Sequence, residues 1–178
     1  MVCTGNQVNG VTGVTTLLGS ATTTLQGLVQ SKDGWYTTLP ASRERTLSSP
    51  TLLGGIVFFP TFVPDSDICL AGGNGYLYAL FYQTGSAYMS PIIGTTASGG
   101  DTNVNRSIGL GTGGGMPSAM AVHIGAQGTG GSGAAGSAGG CQGGVTGVIQ
   151  SSSGALTSSC INATGVTSRY VSWINQRD

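Results

Sequence analysis

Charge is what this sequence lacks most. Only 7% of its 178 residues are charged, and the formal net charge is zero. In an ordinary soluble domain about a quarter of the residues are charged. The six basic residues are scattered along the chain, so they form no basic face of the kind that binds nucleic acid or an anionic surface. A nucleic-acid partner is therefore not expected.

Long hydrophobic runs are also missing. A membrane-spanning helix needs about 20 consecutive apolar residues. No stretch of the sequence approaches that length, so membrane insertion is not expected. The first ten residues, MVCTGNQVNG, contain neither the basic nor the apolar segment of an export signal. We expect the chain to be a fragment, or to be exported as part of something larger.

Four cysteines and one histidine limit the metal and redox chemistry. The cysteines have no C-x-x-C spacing, which disfavours zinc and favours disulfides; they are Cys3, Cys69, Cys141 and Cys160. With low charge and abundant Gly, Ser and Thr, they indicate an oxidising, extracellular setting. Four cysteines allow about three pairings. A hairpin turning at residues 151–154 favours Cys141 with Cys160, which leaves Cys3 for Cys69.

Helix-forming residues are sparse, and Glu44 is the sole glutamate. Short β-branched and aromatic runs bounded by Gly, Pro and Ser are abundant instead, and this pattern favours antiparallel sheet. It predicts strands at residues 11–18, 23–30, 35–39, 51–53, 56–62, 75–82, 87–90, 118–124, 144–150, 155–159 and 168–175. Residues 125–144 are half glycine, which predicts a mobile loop. The chain length suits one all-β domain over residues 1–178.

An approximate repeat organises the predicted strands. One copy begins at Ser49-Pro50, passes through a polar glycine loop and ends in the turn QTGS at residues 83–86. The other begins at Met116-Pro117, passes through a longer glycine loop and ends in SSSG at residues 151–154. Repeated units of short antiparallel strands are typical of propeller blades, which bury their faces by packing on their neighbours.

The stretch SSPTLLGGIVFFPTF, followed by GYLYALFYQTG, resembles the blades of quinoprotein-like β-propellers. Together with GWYTTLP and the terminal VSWINQRD, it resembles the C-terminal propeller of PilY-type proteins, the type IV pilus biogenesis and tip-adhesin family. The resemblance implies about two four-stranded blades of a partial propeller with long Gly-rich loops. It also implies a location at the bacterial surface, pilus tip or outer membrane. The implied partners are minor pilins or the chain that supplies the remaining blades.

One acidic loop is a candidate cation and contact site. Asp65 and Asp67, in PDSDIC, could give two carboxylates to calcium, but calcium takes about six to eight oxygens. No third acidic residue is near in sequence, so an Asx-turn that closes the loop is favoured. The family's Asp-x-Asp-x-Asp-Gly calcium loop does not occur here, so calcium control is not carried over. The same loop, with Pro64 and Asn74 at its ends, is predicted to be a contact surface.

Other candidate residues favour structural roles. His123 lies on a predicted strand without a G-x-S-x-G elbow or a placed acid, so a hydrogen-bonded strand histidine is expected. Phe58 and Phe59 are neighbours on a strand, and one of them must face away from the core or into a second layer. No catalytic residue and no cofactor is predicted.

Three functional classes remain open. The preferred one is a non-enzymatic, PilY-like surface protein that acts in pilus biogenesis and adhesion through protein contacts. The alternative is a Gly/Ser/Thr-rich subunit that self-assembles into an extracellular filament or surface layer. A quinoprotein-like enzyme is disfavoured, because it would need a cofactor pocket with a metal and a catalytic carboxylate.

Overall fold

The computed structural model describes residues 2–3, 7–8, 11–12, 25–27, 29–67, 69, 72–88, 92–93, 106–112, 115–124 and 145–161. In this part of the chain the backbone is mostly antiparallel strand, and only residues 25–27 and 29–30 are helical. This confirms the predicted all-β class. The strands are β1 (Val2–Cys3), β2 (Gln7–Val8), β3 (Val11–Thr12), β4 (Trp35–Tyr36), β5 (Arg45–Thr46), β6 (Thr51–Leu53), β7 (Ile56–Pro64), β8 (Gly73–Phe81), β9 (Ser107–Thr112), β10 (Ala121–Ile124), β11 (Val145–Gln150) and β12 (Leu156–Cys160).

The first sheet is centred on a long hairpin. Strands β7 and β8 pair over nine residues, from Ile56 opposite Phe81 to Pro64 opposite Gly73. Strand β9 pairs with the free side of β8. The short strands β5 and β6 pair with different ends of β7 on its other side. Because β5 and β6 lie on the same side of β7, the five strands occupy four positions across the sheet.

The turn between β6 and β7 depends on two glycines. Gly54 and Gly55 have φ values of 56° and 79°. Positive φ at both central residues is the conformation of a two-residue type I′ hairpin turn, which suits the twist of the flanking strands. Glycine adopts it without the steric cost that a Cβ atom brings. The sequence LLGGI therefore sets Leu53 opposite Ile56.

The second sheet contains three described strands in the order β10-β11-β12. Its last turn is closed by bonds from the Ser151 nitrogen to the Ala155 oxygen (2.8 Å) and from the Gly154 nitrogen to the Ser151 oxygen (2.9 Å). The first copy of the repeat also ends in a tight turn, closed by a 2.8 Å bond from the Phe81 nitrogen to the Ser86 oxygen. Both turns occur where the sequence predicts them.

The core lies between the two sheets. Phe58, Leu77 and Ala79 of the first sheet are at most 2% exposed, and they belong to one apolar cluster with residues of the second sheet. The full set of buried members is Ile56, Phe58, Leu77, Ala79, Ile92, Ile93, Met120, Val145, Ile149 and Ile161. The two sheets therefore pack face to face, and the burial of these side chains is the main stabilising contribution.

Some strand predictions are wrong. Residues 25–27 and 29–30 are helical although a strand is predicted at 23–30. Leu25 and Val29 lie one helical turn apart, and both are buried, so the burial of one helical face outweighs the β propensity of a threonine-rich run. Residues 87–88 are not strand. The predicted strand at 168–175 and the predicted loop at 125–144 lie outside the described residues.

Strand β9, SIGLGT, is absent from the predictions made from sequence. Its two glycines interrupt the alternation that signals a strand, and glycine is disfavoured in strands. Pairing with β8 stabilises it nevertheless, with Tyr78 opposite Ser107 and Leu77 opposite Ile108. Pairing with β8 thus outweighs the low strand propensity of this segment.

Gly73 offers a test of the hairpin packing. A Cβ atom added there would lie 2.5 Å from the Val63 carbonyl oxygen and 2.4 Å from the Phe62 ring. We expect Gly73→Ala to lower the free energy of unfolding by about 1–3 kcal/mol, because backbone must shift. Gly109→Ala is the matched control, since nothing lies within 4 Å of its added Cβ atom. Urea denaturation of both variants measures the difference, and equal stabilities would contradict the hairpin geometry.

Candidate contact surface

The loop joining β7 to β8 is held by its own aspartates. The Asp65 Oδ1 atom accepts a hydrogen bond from the Asp67 nitrogen at 3.0 Å, and the Asp67 Oδ1 atom accepts one from the Cys69 nitrogen at 2.9 Å. The Asp65 nitrogen donates to the Gly72 oxygen at 3.2 Å. These are two successive Asx-turns followed by closure of the loop, so the predicted Asx-turn is confirmed.

The tip of this hairpin is polar and accessible. Asp65, Asp67 and Asn74 are exposed, and Pro64 is half-buried. Among the described residues, no group of three or more His, Cys, Asp or Glu side chains is placed to hold a metal ion. Each aspartate gives one oxygen to the backbone of its own loop, which stiffens the tip without a ligand.

The predicted bond between Cys3 and Cys69 is wrong. Cys69 is a free, exposed thiol. Cys3 pairs through its backbone with Tyr36, whose neighbour Trp35 donates its indole N–H to the Tyr82 oxygen at 2.8 Å. This contact lies at the end of the hairpin opposite to the tip, about 25 Å away along β7. Disulfides require Cα atoms closer than about 7 Å.

Cys160 is disulfide-bonded. Since Cys69 is free, its partner is Cys3 or Cys141. The side chains of these two residues lie outside the described part of the chain. The pairing of Cys141 with Cys160 therefore stays a prediction.

A polar cluster covers part of the outer face of the first sheet, the face turned away from the second sheet. The Thr61 hydroxyl donates to Glu44 Oε1 at 2.6 Å, and the Ala41 nitrogen donates to Glu44 Oε2 at 3.1 Å. The Tyr78 phenol also hydrogen-bonds to Glu44. The sole glutamate therefore fastens the segment before β5 to the two central strands.

An aromatic stack and a buried cation complete this cluster. Phe59 stacks on Tyr78 with ring centroids 5.1 Å apart, while Phe58 is fully buried on the inner face. The prediction that the two phenylalanines face opposite sides is confirmed. The guanidinium carbon of Arg106 lies 5.9 Å from the Tyr78 ring centroid, and its Nη1 donates to the Thr37 hydroxyl at 3.3 Å. Desolvation strengthens such a cation–π contact.

This environment keeps Tyr78 neutral. Burial raises the pKa of its phenol above the ordinary value of 10.0, and the hydrogen bond and charge of Glu44 raise it further. The positive charge of Arg106 opposes this rise in pKa, as does a hydrogen bond with Ser107. Neither Glu44 nor Arg106 is singled out by a local sequence motif, so sequence reasoning did not find the cluster.

The candidate metal-binding and catalytic residues do not lie together in one site. Asp65 and Asp67 lie at the hairpin tip of the first sheet, whereas His123 is exposed on β10 of the second. A small cleft of about 30 Å³ is lined by residues of both sheets, namely Gly75, Leu110, Gly111, Gly115, Pro117, Ile149, Ser151, Ala155 and Thr157. None of the candidate residues lines it. No helix in the described part of the chain is long and apolar enough to span a membrane.

Comparison with known proteins gives one significant similarity. The chain is 35% identical over 97 residues to a protein named Type IV pilus biogenesis factor PilY1 homolog, from Xylella fastidiosa strain Temecula1. The matched region is 49% of this chain but only 6% of that protein. No family model matches the chain, and no solved structure matches it significantly. The similarity supports the PilY-like relationship that the residue pattern predicts.

Replacing Asp67 by asparagine and by alanine distinguishes a role in the Asx-turn from a role in binding a cation. Asp67→Asn keeps an oxygen that accepts the Cys69 N–H, so its unfolding free energy should stay close to that of the parent. Asp67→Ala loses this bond and should be about 0.5–1.5 kcal/mol less stable. Urea denaturation with and without calcium checks this. A calcium-dependent stabilisation that Asp67→Asn abolishes would contradict the turn as the role of this carboxylate.

The raised pKa of Tyr78 predicts that the protein loses stability at alkaline pH. Because its folded pKa lies above the unfolded value of 10.0, its contribution is complete below that pH and is lost as the pH rises above it. Tyr78→Phe should be less stable at neutral pH and should lose stability less steeply above about pH 10. Urea midpoints measured against pH test this, with the exposed Tyr82→Phe as control. Parallel curves for the parent and Tyr78→Phe would contradict the prediction.

Proposed function

We propose that this chain is a non-enzymatic part of a type IV pilus-associated surface protein, and that it acts in pilus biogenesis by binding other proteins. The observation that carries this proposal is the 35% identity over 97 residues to the PilY1 homolog. Because the match spans 6% of that protein, activities of the whole relative are not assumed here. A surface location and a role in adhesion are parts of the proposal.

In this proposal the two sheets are successive blades of a β-propeller. Three observations support it: the first and second sheets are both antiparallel, these two sheets pack face to face, and each copy of the repeat ends in a tight turn. Propeller blades are sheets of about four strands that bury their faces on neighbouring blades. The remaining blades would come from polypeptide outside this chain or from a partner chain.

The hairpin tip suits a protein contact. Asp65, Asp67 and Asn74 are exposed, and Asp65 and Asp67 hold the backbone nitrogens of Asp67 and Cys69. Backbone that is already held by hydrogen bonds loses little conformational entropy on binding. We assign this tip, from Pro64 to Asn74, as a contact surface for minor pilins or for the rest of a pilus-associated assembly.

The positions of the candidate catalytic and metal-binding residues also agree with a protein-binding role. The aspartates are committed to the loop backbone, and His123 is exposed on the other sheet. These residues occupy separate places rather than one pocket. The proposal therefore assigns no reaction to them.

The second candidate function is a self-assembling filament or surface-layer subunit. The observation that favours it is Leu156, which is 71% exposed at the start of β12. Among the described strands β12 pairs only with β11, and an open strand edge can pair with another copy of the chain. Polymers of the isolated chain would favour this function.

Light scattering tests the proposed function. We expect the oxidised chain to be monomeric alone and to form a stable one-to-one complex with minor pilins, or with a polypeptide that supplies the remaining blades. A variant with Asp65→Lys and Asp67→Lys should weaken a complex made through the tip, with Ser153→Lys in the exposed turn of the second sheet as control. A chain that stays monomeric and binds none of the candidate partners would contradict the proposal.

A further inference from the structure

One exposed turn carries two of the six basic residues of the chain. Arg43 and Arg45 flank Glu44 in the segment ASRER, which leads into β5, and both arginine side chains are exposed. The Arg45 Nε–H donates to the Arg43 carbonyl oxygen at 3.3 Å, so the Arg45 guanidinium lies against the backbone of the turn. We name residues 41–45 the arginine turn.

The carboxylate that lies between the two arginines in sequence is bound elsewhere. Glu44 accepts the Thr61 hydroxyl at 2.6 Å with one oxygen and the Ala41 N–H at 3.1 Å with the other. Among the described residues, no carboxylate forms an ion pair with Arg43 or Arg45. The turn therefore displays two positive charges that its own glutamate does not neutralise.

The backbone of the turn is fixed in a conformation that costs energy. Arg43 has a φ of 65° and is the sole residue other than glycine with positive φ in the described part of the chain. The Glu44 nitrogen donates to the Ala41 oxygen at 3.2 Å, which closes the turn around this residue. Glycine would adopt this conformation at lower cost, and strained positions of this kind concentrate at binding sites. The arginine here is thus explained by its side chain and not by its backbone.

The tip of the hairpin selects the kind of partner. Arg45 lies opposite Phe62, and Asp65 follows about 10 Å farther along β7. Asp65 and Asp67 are exposed there. A surface of one charge sign, such as a nucleic acid or an anionic membrane, would be attracted by the arginines and repelled by the aspartates. A protein surface can place a carboxylate at the turn and a different group at the tip.

We infer that the arginine turn binds a carboxylate-bearing segment of a partner protein, beside the contact assigned to the hairpin tip. The inference rests on the proposed function and adds the chemistry of its partner. A planar guanidinium binds a carboxylate through two parallel N–H···O bonds. Because the Arg45 Nε–H is bonded to the turn, Arg45 makes this pair of bonds with its two terminal NH₂ groups.

Removing one charge at a time tests the turn. Arg43→Gly and Arg45→Gln each remove one positive charge, and Lys32→Gln at another exposed position is the matched control. The probes are purified minor pilins and, separately, the Xylella fastidiosa homolog lacking its matched 97-residue region. We expect each arginine variant to raise the dissociation constant of the complex about tenfold and to weaken its dependence on salt, while Lys32→Gln changes neither.

The same variants separate binding from folding. Arg43→Gly relieves the positive φ, so urea denaturation should show it to be at least as stable as the parent. A loss of binding by this variant is then a loss of the guanidinium and not of the fold.

Cross-linking identifies the group that the turn binds. Arg43→Lys keeps the positive charge and supplies an amine, which a carbodiimide joins to a carboxylate in contact with it. Mass spectrometry should find an amide between the amine at position 43 and an aspartate or glutamate of the partner. The amine of Lys32 in the same chain should form no such link.

The outcomes distinguish the inference from the proposed function. Equal affinities of the parent, Arg43→Gly and Arg45→Gln would overturn the inference and leave the proposed function standing. If the parent binds neither probe, both fail. A link from position 43 to Asp65 or Asp67 in the chain alone would identify a second copy as the partner. Binding to phosphatidylglycerol vesicles that Arg43→Gly abolishes would identify an anionic lipid, and either of these two results would overturn the inference.

Discussion

The pairing of β7 with β8 over nine residues is the constraint on which the structure depends. It places apolar side chains on both faces of one sheet, so each face needs a covering layer. The second sheet covers the inner face, where Phe58 and Leu77 are fully buried. The segment before β5 covers part of the outer face through Glu44 and Arg106. The remaining strands, turns and polar contacts are arranged around these two layers.

Several glycines and charged residues have identifiable structural roles in this arrangement. Gly54 and Gly55 turn the chain between adjacent strands, and Gly73 allows β8 to pass the Phe62 ring. Four charged groups have specific uses: Glu44 and Arg106 attach a segment to the sheet, and Asp65 and Asp67 close a loop.

Much of the first sheet could be predicted because local and tertiary preferences agree there. The LLGGI turn, the apolar and aromatic run of β7 and the Asx-turn at Asp65 all have signals within a few residues. The predictions fail where tertiary contacts outweigh local preference: burial makes residues 25–27 and 29–30 helical, and pairing with β8 makes the glycine-containing β9 a strand. The Glu44 cluster joins residues distant in sequence, so no local pattern marks it. Cys69 could not be assigned because cysteine spacing does not fix which ends of a sheet meet.

In the proposed function, the two stacked sheets are neighbouring layers of a larger, PilY-like assembly. An electron cryomicroscopy map of a longer polypeptide containing this chain would test that claim most directly. We expect the two sheets at adjacent positions around a common axis, flanked by further sheets. A map in which the two sheets form an isolated sandwich would contradict this proposal.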